Sequence, residues 1–432
     1  MKHLIMLCSG MVALVLATSC QPIQPMADRL TEVGSVALTE AIDISEPELL
    51  SEIPIVHAAL ETQPIWDTED ELPTDARFGD ADDPAIWLHP TDPNLSIVVA
   101  ALKEGGLDVY DLDGALLQEL QPDGVRYNNV DIIYGFLLGD QESDLIVATD
   151  RYGDRLAIFR VDPHTRQLTD VTDPNNPMLF TPEGQESDGE TTAYGIALYR
   201  SPQSGKFYAF ANRRDTGELA QWELLDNGQG QTAIRRVRDL SLPIPEGGEP
   251  EDAQTEGMVV DEEMGVLYVG QEDVGVWQFD AEPDGSSEGA LIHAVRPQGE
   301  ILEPDVEGLT IYYGPDGRGY LLVSSQGDNT FAVFDREGDH AYLGSFQIGA
   351  MGEVDGVQES DGAMVLNVAL GDLFPNGLLV VQDGFNLPAF MVEDDGELEN
   401  VVTNFKYVDW AEVANAFDPP LLIDTVSYHP RR

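Results

Sequence analysis

The chain has 432 residues, with 79 Asp and Glu against 22 Lys and Arg, a formal net charge of −57 at pH 7. A hydrophobic share of 42% with 23% charged residues belongs to a folded chain, not a disordered one. The charge argues against a nucleic-acid partner, because phosphate backbones need clustered Lys and Arg. It leaves room for a small anionic substrate, because bound metal ions invert the local field.

Residues 1–20 read as a secretory signal, with Lys2 ahead of an apolar run from Leu4 to Leu16. The ending Ala17-Thr18-Ser19-Cys20 is lipobox-like, so Cys20 is the expected lipid anchor. The chain is thus expected to leave a bacterial cell, as an envelope lipoprotein or a secreted protein. The two cysteines, Cys8 and Cys20, both lie in this leader, which leaves the rest without a disulfide, a thiolate nucleophile or a cysteine-based zinc site. Residues 21–71 lack lasting periodicity and read as a linker and N-terminal arm.

From Asp80 onward short β-branched and aromatic runs alternate with Gly- and Asp-rich turns, the pattern of many short strands. Units of similar layout start at Asp82, Asn128, Tyr194, Glu256, Glu307 and Asp361. Thr255 to Asp280 and Val306 to Asp335 are the clearest pair. Such repetition predicts an all-β, six-bladed β-propeller over 72–432. A many-stranded β-sandwich would leave the repetition unexplained.

In a propeller, equivalent positions point at one end of the central channel. The first-strand positions are Asp82 and Asp83, Asn128 with Asn129 and Asp131, Tyr194, Glu256, Asp305 and Glu307, and Asp361. The second-strand positions are Lys103 and Glu104, Asp150 and Arg151, Arg214 and Asp215, Gln271 and Glu272, Gln326 and Asp328, and Gln382 and Asp383. Oxygen-only ligands select hard cations, so several Ca²⁺ ions are the expected cofactor. Lys103, Arg151 and Arg214 beside such metals make a receptor for phosphate. A metal that lowers the pKa of its water makes a nucleophile for in-line attack on phosphorus. The residues therefore predict calcium-assisted hydrolysis of a phosphomonoester. Taken singly, each Asp reads as a turn residue, Tyr194 as core, and Lys103 and Arg214 as surface charges; recurrence carries the argument.

The strings DADDPAIWL, NNVDI, YGIALY, TEGM, QEDVGVWQFDAEPDG, VEGLTIYY, DGRGYLLVSSQG and VVQDG, in this order, resemble the β-propeller phytases, the alkaline calcium-dependent phytases of bacteria. The resemblance implies calcium at the channel mouth and phytate, free or as its calcium salt, as substrate. It implies a cleavage site with an adjacent affinity site for neighbouring phosphates. By position, Lys103 and Arg151 resemble the phosphate-binding residues and Tyr194 the active-site tyrosine. Asp82, Glu256, Glu272, Asp305 and Glu307 resemble the calcium-holding carboxylates; Asp355, Asp361 and Asp383 resemble ligands or their neighbours; Asn129 and Asp131 match a further calcium-region motif. The expected catalytic set is Lys103, Arg151, Tyr194, Arg214, Glu256 and Asp361, and the remaining carboxylates, with Asp83, Asp215 and Asn129, form the expected metal set. Lys103-Glu104 stands where some members have Lys-Lys, and Arg214-Asp215 where others have Lys-Glu, which bears on phosphate affinity.

Competing motifs are weak. Gly285 to Gly289 matches G-x-S-x-G but lies in a hydrophilic turn, where no nucleophile elbow forms. The loop from Asp280 has Leu291, not Glu, at its twelfth position, against an EF-hand. Two other readings stay open: a calcium-dependent propeller hydrolase of other esters, and a non-catalytic calcium-binding surface propeller. A monomer without nucleic-acid partners is expected.

Overall fold

The computed structural model describes residues 53–68, 76–394 and 397–431. The expected signal peptide, Cys20 and most of the linker lie outside these. The described strands form six blades, with four strands in order in blades 1 to 4, at 84–120, 127–170, 193–241 and 255–294. Blade 5 covers 306–349 and blade 6 covers 363–409. The innermost strands are Pro84–Trp87, Tyr127–Leu138, Ala193–Arg200, Thr255–Asp261, Val306–Tyr313 and Ala363–Leu366. Each touches the next, and the last returns to the first, so they line a closed channel. The predicted six-bladed propeller is the observed fold.

Val/Ile/Leu-rich strands make the core because both faces of each blade are covered by its neighbours. Ile97–Leu102 and Val306–Tyr313 are buried along their whole length. Polar groups between blades are paired. Arg336 and Asp261, both fully buried, form a two-pronged ion pair between blades 5 and 4, with the guanidinium 4.4 Å over the Tyr313 ring.

The N-terminal arm belongs to the propeller rather than preceding it. Ile55–His57 adds a parallel strand to the outer edge of blade 5. Leu60–Glu61 and Ile65–Trp66 pair antiparallel with Val402–Asp409 of blade 6. Two-residue strands have no readable period, which is why the sequence placed a boundary at 72. Their pairing covers edges that would otherwise be open.

The C-terminal end is tied down at the opposite end of the channel from the first-strand starts. Asp409 caps the helix Trp410–Asn415 by accepting from the Ala411 amide at 2.8 Å. Tyr428 stacks on Tyr313 at 4.2 Å, and Arg431 pairs with Asp144 at 2.6 Å over the Tyr134 ring. Tyr313 lies about 20 Å along its strand from Glu307, at roughly 3.3 Å per residue.

The channel mouth is set by a repeated backbone feature. At the start of four inner strands two residues face one: Asn128-Asn129 opposite Thr149, Tyr194-Gly195 opposite Asn212, Glu256-Gly257 opposite Gly270, and Glu307-Gly308 opposite Ser324. Such bulges re-aim side chains. The glycines let the next blade approach. A Cβ on Gly195 would lie 2.0 Å from the Glu256 carbonyl oxygen, and one on Gly257 would lie 2.1 Å from that of Glu307. Gly308 and Gly362 are similarly crowded, by the Ala363 amide at 2.7 Å and by Asp83 Cα at 2.5 Å. Side chains facing the bulges bond onward: Asn212 Nδ2 donates to the Glu256 carbonyl at 3.1 Å, and Ser324 Oγ to that of Ser360 at 2.8 Å.

Gly257→Ala should therefore force blades 4 and 5 apart. The expected loss is about 2 kcal/mol or more, within the usual range for overpacking. A urea unfolding midpoint unchanged from the parent would contradict this account of the blade seam.

Candidate active site

Antiparallel pairing places the start of each first strand beside the end of the second. Thr255 pairs with Gln271, Val306 with Ser325 and Ala193 with Arg213. The two sets of positions read from the repeat therefore meet at one mouth.

Blades 4 and 5 supply the centre. One carboxylate oxygen from each of Glu256, Glu272 and Glu307 lies within 4.8 Å of the other two. Glu256 and Glu307 are buried. Burial, then nearby carboxylates, raise all three carboxyls: Glu256, beside Asp361 and Glu272, and Glu272, beside Asp305 and Asp273, are pushed up to about 8, and Glu307, beside Glu256 and Glu272, moves well above the ordinary range. Asp82 is buried and raised in the same way, chiefly by burial and then by Glu256. Asp361 is pushed up to about 6 by burial, with Lys103 opposing. Oxygens Asp82 Oδ1, Glu272 Oε1 and Glu307 Oε2 are buried with no hydrogen-bond partner in the structure. Such orphaned acceptors point to an ion or water.

Asn128 Nδ2 donates to Glu256 Oε1 at 2.7 Å and to Asn129 Oδ1 at 2.9 Å, which brings Asn129 into the polar rim. Gln254 Nε2 donates to Glu272 Oε2 at 3.1 Å, and the Asp215 amide donates to Gln254 Oε1 at 3.1 Å. Asp305 sits beside Glu272, whose carbonyl accepts its amide at 2.9 Å. Asp305 and Asp215 have φ of 79° and 57°, left-handed turn conformations that Asp tolerates better than most residues.

The cations line the other side of the mouth. Lys103 Nζ lies 2.7 Å from Asp80, 3.4 Å from Asp82 and 3.5 Å from Asp361. The Arg151 and Arg214 guanidinium carbons lie 5.3 and 5.9 Å from the centre of the Tyr194 ring. The Tyr194 hydroxyl faces the carboxylates. Burial, then Glu256 and Glu307, hold it well above the ordinary tyrosine range, so it stays protonated. Arg214 also pairs with Asp215 at 3.0 Å.

Lys103, Arg151, Tyr194, Arg214, Glu256 and Asp361 are thus brought together, with Asp82, Asn129, Asp215, Glu272, Asp305 and Glu307 around them. Four expected metal ligands are not. Asp83 is engaged elsewhere, accepting the Val130 amide of the neighbouring blade at 3.1 Å. Asp131 lies deeper in the channel, where it accepts the Leu198 amide at 2.7 Å and the Ile132 amide at 2.6 Å. Asp355 and Asp383 face Lys406, a fully buried ammonium that Glu61 also contacts. The sequence reading did not single out Asp80, Gln254 or Lys406. Asp80 opens the string DADDPAIWL, so a signal was present; Gln326 donates to Asp361 Oδ1 at 2.5 Å from the second-strand position already noted.

A family model described as Phytase matches residues 37–432. A 3-phytase from Bacillus subtilis (strain 168) is 37% identical over 361 residues, which are 83% of this chain and 84% of that one. Among solved structures, the Cps50 (Swd1) β-propeller domain of Myceliophteria thermophila covers 76% of this chain and 83% of its own, at 12% identity and a TM-score of 0.39. A complex of BBS1N with ARL6DN covers 75% of this chain and 77% of that chain, also at 12% identity and 0.39. Likenesses that low carry no argument about chemistry. The family match and the Bacillus relative, each spanning most of the chain, do: the chain belongs to the phytase family.

Proposed function

We propose that this enzyme hydrolyses phosphomonoester bonds of phytate, releasing inorganic phosphate, in a reaction that depends on Ca²⁺. The observation that carries the reading is the convergence of Glu256, Glu272 and Glu307 beside Lys103, Arg151 and Arg214. The donor set fits a hard cation. It is all oxygen, it includes buried acceptors without partners, and its carboxyls are held above their ordinary range by burial first and by neighbouring carboxylates second. Glu256, Glu272 and Glu307 would hold calcium, with Asp82, Asp305 and Asp361 around them. Calcium bound there supplies Lewis-acid chemistry, offsetting the carboxylates and lowering the pKa of water in its shell.

The chain's own side chains account for binding and charge stabilisation. Lys103 reaches between Asp82 and Asp361, where a phosphoryl group crossing the mouth would meet its ammonium. Arg151 and Arg214 present guanidinium groups that suit phosphate oxygens in pairs. Tyr194, kept as the neutral phenol, donates a hydrogen bond and orients the two arginines across its ring. Charge developing on the phosphoryl oxygens in the transition state is stabilised by these fixed donors. Export, with Cys20 as a lipid anchor, is part of the same proposal, since phytate would be met outside the cell. The non-catalytic reading is disfavoured by the cations, which a calcium store has no use for.

Glu307→Gln should reduce calcium-stimulated phosphate release from phytate by about 100-fold or more, the upper range for a damaged metal site. It should also raise the melting temperature in chelator, because one repelling carboxylate is gone. Near-parental turnover would remove the Glu256–Glu272–Glu307 group from the mechanism.

pH should act on the metal-free protein with a definite sign. Glu256 and Glu272 are raised to about 8 in the folded state, so the native protein binds more protons than the unfolded chain between their unfolded and folded pKa values. Their contribution to stability is fully present below about pH 4.5 and is lost as pH rises through about 8. In chelator the melting temperature should fall across that window, and the rise on adding Ca²⁺ should grow with pH. A calcium shift that is constant from pH 5 to 8 would contradict the assignment.

A further inference from the structure

The connection from the outer strand of blade 2, Gln167–Asp170, to the inner strand of blade 3, Ala193–Arg200, runs through residues 171–192 and is the longest between two blades. Its first part is packed, with Val171 and Leu179 buried. Its second part, Thr181 to Thr192, reads TPEGQESDGETT, with four acids and no Lys or Arg. One buried carboxylate holds both ends of that second part. Asp154 Oδ2 accepts the Phe180 and Thr181 amides at 2.9 and 2.6 Å, and its Oδ1 accepts the Ala193 amide at 3.0 Å. Closed in this way, the segment is a surface Ω-loop. Asp154 belongs to the turn that starts at Arg151, whose carbonyl accepts the Asp154 amide at 3.3 Å. The acidic loop is therefore built on the turn that carries Arg151.

The returning end of the loop is set against the mouth. Gly189, at a φ of 75°, lies beside the Tyr152 ring, where a Cβ would stand 3.4 Å from Cδ1. Asp188 Oδ1 accepts the Glu190 and Thr191 amides, both at 3.0 Å. The Thr191 carbonyl accepts from Arg213 Nε at 2.9 Å, and Thr192 Oγ1 donates to the Arg151 carbonyl at 2.8 Å. The Thr192 carbonyl accepts from the Arg214 amide at 2.9 Å. Glu190 is thus carried between Arg151 and Arg214, and one oxygen of its carboxylate lies 3.8 Å from the first and 3.7 Å from the second. Three features make this a displaceable contact. Both distances exceed the roughly 2.8 Å of a seated charge-assisted hydrogen bond. The Glu190 side chain is 72% exposed, whereas that of Arg151 is 8% exposed. The Nε–H groups of both arginines are buried without an acceptor, so a shared carboxylate oxygen leaves the pair unsatisfied. Burial, then Arg126 and Arg214, weaken the hold of Arg151 on its proton, so the arginines gain from any anion laid between them.

We infer that Glu190 is a built-in competitor for the phosphate site: its loop lays a carboxylate over Arg151 and Arg214 when no phosphate is bound, and returns to expel the phosphate that hydrolysis releases. The inference rests on the reading of these two arginines as phosphate ligands. Displacing the carboxylate weakens every anion by the same factor, the fraction of time the arginines stand uncovered. A polyphosphate makes up the loss through contacts elsewhere in the mouth. Released phosphate has no such contacts, so it leaves. Glu190 touches no reacting bond; it sets how tightly an anion is held.

The test is calorimetric titration of the full protein, with Ca²⁺ present, by sulfate, a tetrahedral dianion with no ester to cleave. E190Q should tighten sulfate binding about fivefold, the scale of an exposed ion pair at its stronger end. E186Q removes the same charge from the loop but not from the arginines, and should change binding by less than about 1.5-fold, since distant exposed charges are screened. R214M should weaken binding about tenfold, the scale of a lost charge-assisted donor. Parental affinity in E190Q, or an equal gain in E186Q, would overturn the inference, the second because the charge of the loop and not its contact would then govern binding. Parental affinity in R214M, or sulfate that binds none of these proteins, would overturn the reading of the arginines as phosphate ligands and the inference with it. Inhibition of phytate hydrolysis by inorganic phosphate should strengthen about fivefold in E190Q by the same argument; inhibition equal to the parent's would overturn the product-release role. Should no phytate be hydrolysed, the proposed reaction falls and the sulfate titrations decide the role of Glu190 alone.

Discussion

Like charges do not gather unaided, and the chemistry of this propeller depends on how the backbone makes them gather. Four of the six inner strands begin with a bulge that turns a polar side chain into the mouth, and in three of the bulges the next residue is glycine. The glycine admits the neighbouring blade's carbonyl to a distance no Cβ would allow. Blades so close bring Glu256, Glu272 and Glu307 within one coordination distance of each other. The fold therefore concentrates negative charge by packing, and the hydrophobic core between blades supplies the energy that holds it there.

The mouth that results is divided. Blades 1 to 3 bring the cations Lys103, Arg126, Arg151 and Arg214 together with Asp80, Asp82 and Asp215, while blades 4 to 6 bring the carboxylates Glu256, Glu272, Asp305, Glu307 and Asp361. An anion alone would be held by one half and repelled by the other. A cation alone would be held by the second half and repelled by the first. Only a ligand pair of both signs satisfies the whole mouth, which is the physical basis for reading calcium and a polyphosphate as one recognition event. Tyr194 sits on the dividing line, its ring under the arginines and its hydroxyl toward the carboxylates.

Much of this was legible in the sequence because a propeller repeats. Six similar units fix which residues share an end of the channel, so Glu256 and Glu307 could be grouped although 51 positions separate them. What the sequence hid has local causes. Bulges change which face a residue takes, so Asp131 was grouped with Asn129 although it lies deeper and caps the Leu198 amide. The arm strands are too short to show a period, and they add Glu61 to a cluster whose other members lie some 300 residues away.

The Lys406 cluster serves as an internal comparison for the mouth. There, Glu61, Asp355 and Asp383 surround a fully buried ammonium that also donates to Asn386 Oδ1 at 2.9 Å. Burial alone would lower that ammonium's affinity for its proton, yet its carboxylate neighbours outweigh burial and raise it. The chain thus neutralises one group of crowded carboxylates with a side chain of its own, and ties the arm to blade 6 in doing so. It does not do the same for the central three. Among the described residues no Lys or Arg nitrogen lies within 4.0 Å of Glu256, Glu272 or Glu307, and two of these glutamates present buried oxygens without a partner. A built-in cation would silence the centre, because it could neither exchange nor accept a substrate oxygen as a further ligand. An exchangeable cation at that position, as proposed, would preserve both options, and the two clusters would then differ as a structural clamp differs from a site equipped for chemistry.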